Sequence, residues 1–153
     1  MTIRCITVDS PLGPLSIGER DGKIVTLNWG VAKMDMPTPL LESAAQQLNA
    51  YFYCGLRKFE LPLAPAGTVF RQRVWEEMVK IPYGQTRNYG EMARRLDSAA
   101  RAIGGACGEN PIPIIIPCHR VVASGPHIGG YSGRGGCDTK RALLELEGAS
   151  HRP

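Results

Sequence analysis

A chain of 153 residues, 43% hydrophobic and 21% charged, has the composition of an ordinary globular protein and enough length to bury a core without disulfides. Its five cysteines, an odd number with no CxxC pair, argue against a disulfide scaffold and against a zinc site, so no metal is expected. The net charge of +4 falls wholly in residues 66–153, with twelve basic and eight acidic side chains against six and six in residues 1–65; this suits a polyanionic partner, although a merely soluble charged surface explains it equally well.

Residues 3–8 and 14–18 read as short strands separated by the turn-forming Ser10-Pro11-Leu12-Gly13. Asp21-Gly22 reads as a tight hairpin turn into a third strand, Lys23 to Trp29. Thr38 is a candidate N-cap with Pro39 at the first helical position. Leu41, Ala44, Ala45, Leu48 and Phe52 mark one apolar helical face, and Gly55 can stop that helix. Residues 1–65 thus form a small α/β module, and the Pro- and Ala-rich stretch 61–67 is the natural boundary to a second domain, 66–153.

Beyond that boundary Phe70, Val74, Met78 and Ile81 recur at helical spacing, and Pro82 ends the helix. Asn88-Tyr89-Gly90-Glu91 has the form of a capping box opening a helix to about Leu96. After the turn Asp97-Ser98, Ser98 is expected to cap a further helix from Ala99 to about Cys107, and so tight a connection suggests a helix-turn-helix. Arg101 is that second helix's only long side chain, among Ala102, Gly104, Gly105 and other small residues. Two interior glycines cost about 1 kcal/mol each relative to alanine. Close approach of the backbone to another surface, or tight helix-helix packing, would each offset that cost, and the residues alone do not separate the two.

The chemistry concentrates in residues 110–122. An apolar run broken by Pro111, Pro113 and Pro117 is no regular helix, and at most a short strand or buried connector. Cys118 follows it, then His119 and Arg120. A thiol in apolar surroundings is ordinarily inert, because burial disfavours the thiolate. His119 can take its proton directly or through one water. Glu147, in the last turn of a helix expected from Asp138 and ended by Gly148, is a candidate to orient His119; a solvated surface glutamate is the plainer alternative.

The segment Pro117-Cys118-His119-Arg120-Val121-Val122 resembles the active-site signature of the O6-alkylguanine-DNA alkyltransferases. So do, in order, Ile81-Pro82-Tyr83-Gly84, Tyr89-Gly90-Glu91-Met92-Ala93, Ala100-Arg101-Ala102-Ile103-Gly104, Asn110-Pro111, Gly129-Gly130-Tyr131-Ser132-Gly133, and Lys140 to Leu144 with Glu147-Gly148. The likeness spans residues 68–148, with Asp9 to Gly13 similar near the start. It implies a ribonuclease H-like α/β N-terminal module and a mainly α, winged helix-turn-helix-like C-terminal domain.

The resemblance also implies roles. Cys118 would accept the alkyl group, His119 would be its base through water, and Glu147 would orient His119. Asn110 would hold the turn before the active-site segment. Arg101 would fill the gap left by an extruded nucleotide, with Ala102, Gly104 and Gly105 on the helix that enters the minor groove. Tyr89 would press on the target phosphate and protonate the departing guanine. Backbone groups at Cys118 and Val121, with Tyr131 and Ser132, would line the base pocket. Arginines 87, 94, 95, 101 and 120 would meet phosphates. No cofactor is implied; the partner is double-stranded DNA carrying O6-alkylguanine or O4-alkylthymine, bound by a monomer, with cooperativity along DNA left open.

The glycine-rich Ser132–Asp138 loop departs from the family pattern by placing a second thiol, Cys137, and Arg134 near the pocket. The opening residues lack the apolar run of a secretory signal, so a cytoplasmic location without membrane contact is expected. Two rival classes remain: a lesion-binding module without transfer activity, and a Cys-His hydrolase that turns over. The presence of Cys118 disfavours the first, and Arg101 has no task in the second.

Overall fold

The computed structural model describes residues 2–124, 129 and 136–149. These fall into two compact units divided between Ala66 and Gly67. In the first, β1 (Arg4–Val8), β2 (Leu15–Arg20) and β3 (Lys23–Trp29) make an antiparallel sheet in sequential order. Asp21 and Gly22 both take positive φ, 53° and 75°, as the two central residues of a type I′ hairpin turn must. Alternation buries Ile6, Val8, Leu15 and Ile17 of β1 and β2, while β3, opposite a register shift at Gly18-Glu19, buries the consecutive Ile24 and Val25 as well as Leu27.

The helix α1 (Pro39–Cys54) begins as its sequence requires. Thr38 accepts from the Leu41 amide (3.1 Å), proline follows, and Gly55 at φ 72° returns its amide to the Ala50 carbonyl. Leu41, Ala44, Leu48, Tyr51 and Phe52 are its buried face. This arrangement of a small antiparallel sheet plus helix followed by a helical domain is the expected fold class.

In the second unit α2 (Val69–Val79) stops two residues before Ile81, which is buried just outside the helix. A two-residue strand β4 (Arg87–Asn88) leads into α3 (Tyr89–Arg95), whose capping box is complete: Asn88 accepts from the Glu91 amide, and Glu91 accepts from the Asn88 amide. α4 (Ala100–Gly108) follows and packs on α3. Here the expected cap fails. Ala99, not Ser98, is the N-cap of α4, and no side chain caps it. Ser98 is already committed to the end of α3. Asp97 adopts φ 51°, its amide donates to the Arg94 carbonyl, and the Ser98 amide donates to Ala93 (2.8 Å), a Schellman closure.

A 3-10 turn (Cys118–Arg120) then leads to β5 (Val121–Val122), which pairs in parallel with β4. The last helix, α5 (Cys137–Leu146), begins one residue earlier than expected. The core of this unit holds Val74, Trp75, Met78, Met92, Ile103, Ile112, Ile116, Leu143 and Leu144. Among the described residues no helix is long and apolar enough to cross a membrane.

Candidate active site

The site begins with the connector that delivers Cys118. Asn110 straddles it: Oδ1 accepts from the Ile112 amide (2.9 Å) and Nδ2 donates to the Ile116 carbonyl (2.8 Å). Between these anchors the Ile115 amide donates to Pro113 (2.9 Å) across Ile114, which has φ 74°. That γ-turn is a strained backbone for a β-branched residue. The Ile116 carbonyl also accepts from the Cys118 amide (2.8 Å), so the clamp reaches the proposed acceptor directly.

Cys118, His119 and Arg120 are all buried in the 3-10 turn. His119, with no exposed surface, lies 2.7 Å through Nε2 from Glu147 Oε2. A carboxylate only accepts, so Nε2 carries the proton. Burial holds the imidazole below its ordinary value despite the attraction of Glu147, and Arg120 and Lys140 push in the same direction. His119 is therefore neutral, with its lone pair on Nδ1, which has no hydrogen-bond partner among the described residues. A neutral imidazole that follows a thiol in the chain and is oriented by a carboxylate through its other nitrogen supplies the groups that activating a nucleophile requires.

Glu147 is the C-cap of α5, and Gly148 at φ 70° closes the helix behind it. The negative end of a helix disfavours a carboxylate. Four donors offset this: His119, the Arg120 Nε and Nη2 groups at 2.9 Å each, and the Gly84 amide at 3.4 Å. Gly84 has φ 79°, and a β-carbon there would stand 3.1 Å from the Glu147 carbonyl. This explains why the Ile81-Pro82-Tyr83-Gly84 turn ends in glycine.

Arg120 is thus a correction to the sequence reading. Expected at DNA phosphates, it is buried; besides gripping Glu147 in bidentate fashion, it donates through Nη1 to the Ile81 carbonyl (2.7 Å) and stacks over Tyr83 (5.9 Å). Arg87 is likewise engaged, with Glu77 at 3.4 Å. Arg94, Arg95 and Arg101 are exposed.

On the other side of the turn stands Lys140, a residue the sequence reading quoted within a motif and gave no role. It is fully buried; Nζ donates to the Val121 carbonyl (2.7 Å), reaches the Tyr89 hydroxyl (3.4 Å) and lies 5.6 Å from the centre of its ring. Burial pulls the ammonium below its usual value, while the thiols of Cys107, Cys118 and Cys137 pull it back. Tyr89 is raised well above the ordinary phenol range, first by burial. Cys107 is pushed up to about 12, mainly by burial. The available signal was periodicity: Lys140, Leu143, Leu144 and Glu147 share the inward face of α5, so both charges occupy core positions.

The Val121 groups expected at the pocket have internal partners: the amide donates to the Cys118 carbonyl and the carbonyl accepts from Lys140. Tyr131 and Ser132 lie outside the described residues. Arg101, Ala102, Gly104 and Gly105 share the exposed side of α4, opposite buried Ile103 and Ala106. A β-carbon at Gly104 or Gly105 would meet nothing within 4 Å, so internal packing does not require these glycines. Among the described residues no group of His, Cys, Asp and Glu could hold a metal.

Comparisons with known proteins cover nearly the whole chain. Residues 3–65 match the model of the 6-O-methylguanine DNA methyltransferase ribonuclease-like domain, and residues 69–149 match that of the same family's DNA-binding domain. A methylated-DNA–protein-cysteine methyltransferase of Mycobacterium bovis is 44% identical over 92% of this chain and 90% of its own length. One from Methanosarcina acetivorans is 42% identical over 92% and 96%. The Mycobacterium tuberculosis OGT solved in complex with DNA superposes with a TM-score of 0.84 at 42% identity, covering 94% of this chain and 92% of that one. With both domain models matched in order and such relatives matched over nearly their full lengths, the chain belongs to the 6-O-methylguanine DNA methyltransferase family.

Proposed function

We propose that this protein repairs DNA by moving the alkyl group of O6-alkylguanine, and of O4-alkylthymine, irreversibly onto Cys118. The observation that carries the reading is the buried Cys118-His119-Glu147 array, in which His119 donates through Nε2 at 2.7 Å and keeps its Nδ1 lone pair. His119 takes the Cys118 proton, directly or through water. The sulfur attacks the alkyl carbon, the carbon-oxygen bond breaks, and its electron pair passes into the guanine ring. Tyr89 supplies the ring proton, and the Lys140 ammonium 3.4 Å from its hydroxyl offsets the phenolate charge left behind.

The reacting carbon is out of reach of an in-line thiolate while the base stays stacked, so the nucleotide must be flipped, at a cost of a few kcal/mol. Exposed Arg101 on α4 would fill the gap, with the glycine face of α4 against the minor groove and α3-α4 acting as a helix-turn-helix. The product is a neutral thioether that no described group can cleave, so each molecule acts once.

Mass spectrometry after mixing the protein with a duplex containing one O6-methylguanine tests this. One methyl on the Cys118 peptide, one restored guanine per protein and none with Cys118→Ala are expected. Bound but unmodified protein would make the chain a lesion-binding module, and repeated turnover would make it a hydrolase.

A further inference from the structure

Arg120 spends three of its N–H groups inside the protein, two of them on the two oxygens of Glu147. This matters because a buried carboxylate beside an imidazole ordinarily draws a proton onto the ring. An imidazolium cannot accept the proton of a thiol. At His119 the carboxylate is already matched by a guanidinium held 2.9 Å from each oxygen.

We propose that Arg120 is a positioning residue for the transfer reaction: by closing both oxygens of Glu147, it lets that carboxylate orient His119 without protonating it. The inference rests on His119 being the base for Cys118. It deepens that reading by assigning the step's pH threshold to a residue that touches neither DNA nor the thiol proton. The groups facing His119 fit. From α5 come Glu147 and Lys140, the latter tied to the Val121 carbonyl; from its own turn comes Arg120, with Cys118 the residue before His119 in the chain. The other helix packed on the turn, α2, buries Val74, Trp75 and Met78, and its Glu77 bonds to Lys80 and Arg87. Arg120 is thus a cation in direct contact with the carboxylate that orients His119.

The test is the single-turnover rate of methyl transfer from a duplex with one O6-methylguanine, followed from about pH 4 to 9, a range carried downward because burial holds His119 below an ordinary histidine. Neutral His119 is required, so the wild-type rate falls on the acid side. In Arg120→Met the unmatched carboxylate favours the imidazolium. Its acid limb should move up by about one pH unit or more, a roughly fivefold or greater loss relative to wild type at the wild-type midpoint, with the alkaline plateau retained within a few-fold. Arg120→Lys keeps the charge and should keep the limb. Arg120→Met with Glu147→Gln removes both charges and should return the limb to the wild-type position or below.

A uniform loss at every pH in Arg120→Met would make Arg120 a brace only and overturn the proposal. Circular dichroism reports whether that variant folds. If it does not, the other two decide, and a lysine limb displaced by about one unit, or a double-variant limb left high, overturns it. A wild-type protein with no acid limb, or with no methyl on Cys118, would instead remove the reading of His119 on which this one stands.

Discussion

Asn110 does more than cap a turn. Its two side-chain bonds hold the segment in which Ile114 adopts φ 74° while buried to 1% exposure. Such a backbone costs about 1–3 kcal/mol and persists only where its surroundings over-determine it. The same Ile116 carbonyl that Asn110 holds also receives the Cys118 amide. Asn110→Ala should therefore lower stability by about 2 kcal/mol, two lost bonds at roughly 1 kcal/mol each, read as a shifted urea midpoint. It should also slow methyl transfer, because the acceptor's backbone anchor loosens. Unchanged rates with reduced stability would separate the clamp from the chemistry. At this scale the Asn110 clamp was legible because its partners lie two and six residues away, and Cys118 and His119 because they sit together in a dense motif. Arg120 was not: a basic side chain after a Cys-His pair looks like a phosphate contact until Glu147, 27 residues away, is seen to bury it. Lys140 was hidden the same way, a cation at a position whose inward direction only the packed helix reveals.

Among the elements, α4 is the weakest by local rules. It starts at Ala99 without a side-chain cap and carries Gly104, Gly105 and Gly108. Burial of Ile103 and Ala106, and the Trp75 indole donating to the Ala106 carbonyl (2.9 Å), hold it in place. Since nothing stands within 4 Å of an added β-carbon at Gly104 or Gly105, alanine at each should stabilise the free protein by about 1 kcal/mol through helix propensity. If the exposed face meets DNA backbone to backbone, the same substitutions should weaken duplex binding several-fold. Thermal melts and fluorescence anisotropy on the two variants read both effects; a gain in melting temperature with undiminished affinity would take α4 out of the DNA interface. The element boundaries themselves were largely readable, since Asp21-Gly22, Thr38-Pro39, Gly55 and the Asn88 capping box are local signals. Ser98 misled because the chain there still belongs to the end of α3, its backbone amide donating to the Ala93 carbonyl. Asp97 in the left-handed region makes that closure.

On the scale of the molecule, one carboxylate ties together three parts of the second unit that are distant in sequence: the 81–84 turn, the 118–120 turn and the end of α5. Cys118 lies within that knot at 6% exposure, flanked by fully buried Val121 and His119. An alkyl group on its sulfur must find room where interiors are close-packed, and forced overpacking costs about 1–3 kcal/mol. The strain falls on segments shared by α2, α5 and the β4-β5 pair, so it should register in global unfolding rather than as local fraying. The alkylated protein should accordingly melt roughly 3–10 °C lower than the unmodified one, and a benzyl group should lower it further than a methyl group. Scanning calorimetry on protein reacted to completion, with Cys118→Ala carried through the same treatment as an unreactive control, reads the difference. Equal melting temperatures would mean that the site already holds space for its product, and the spent protein would then be as durable as the fresh one.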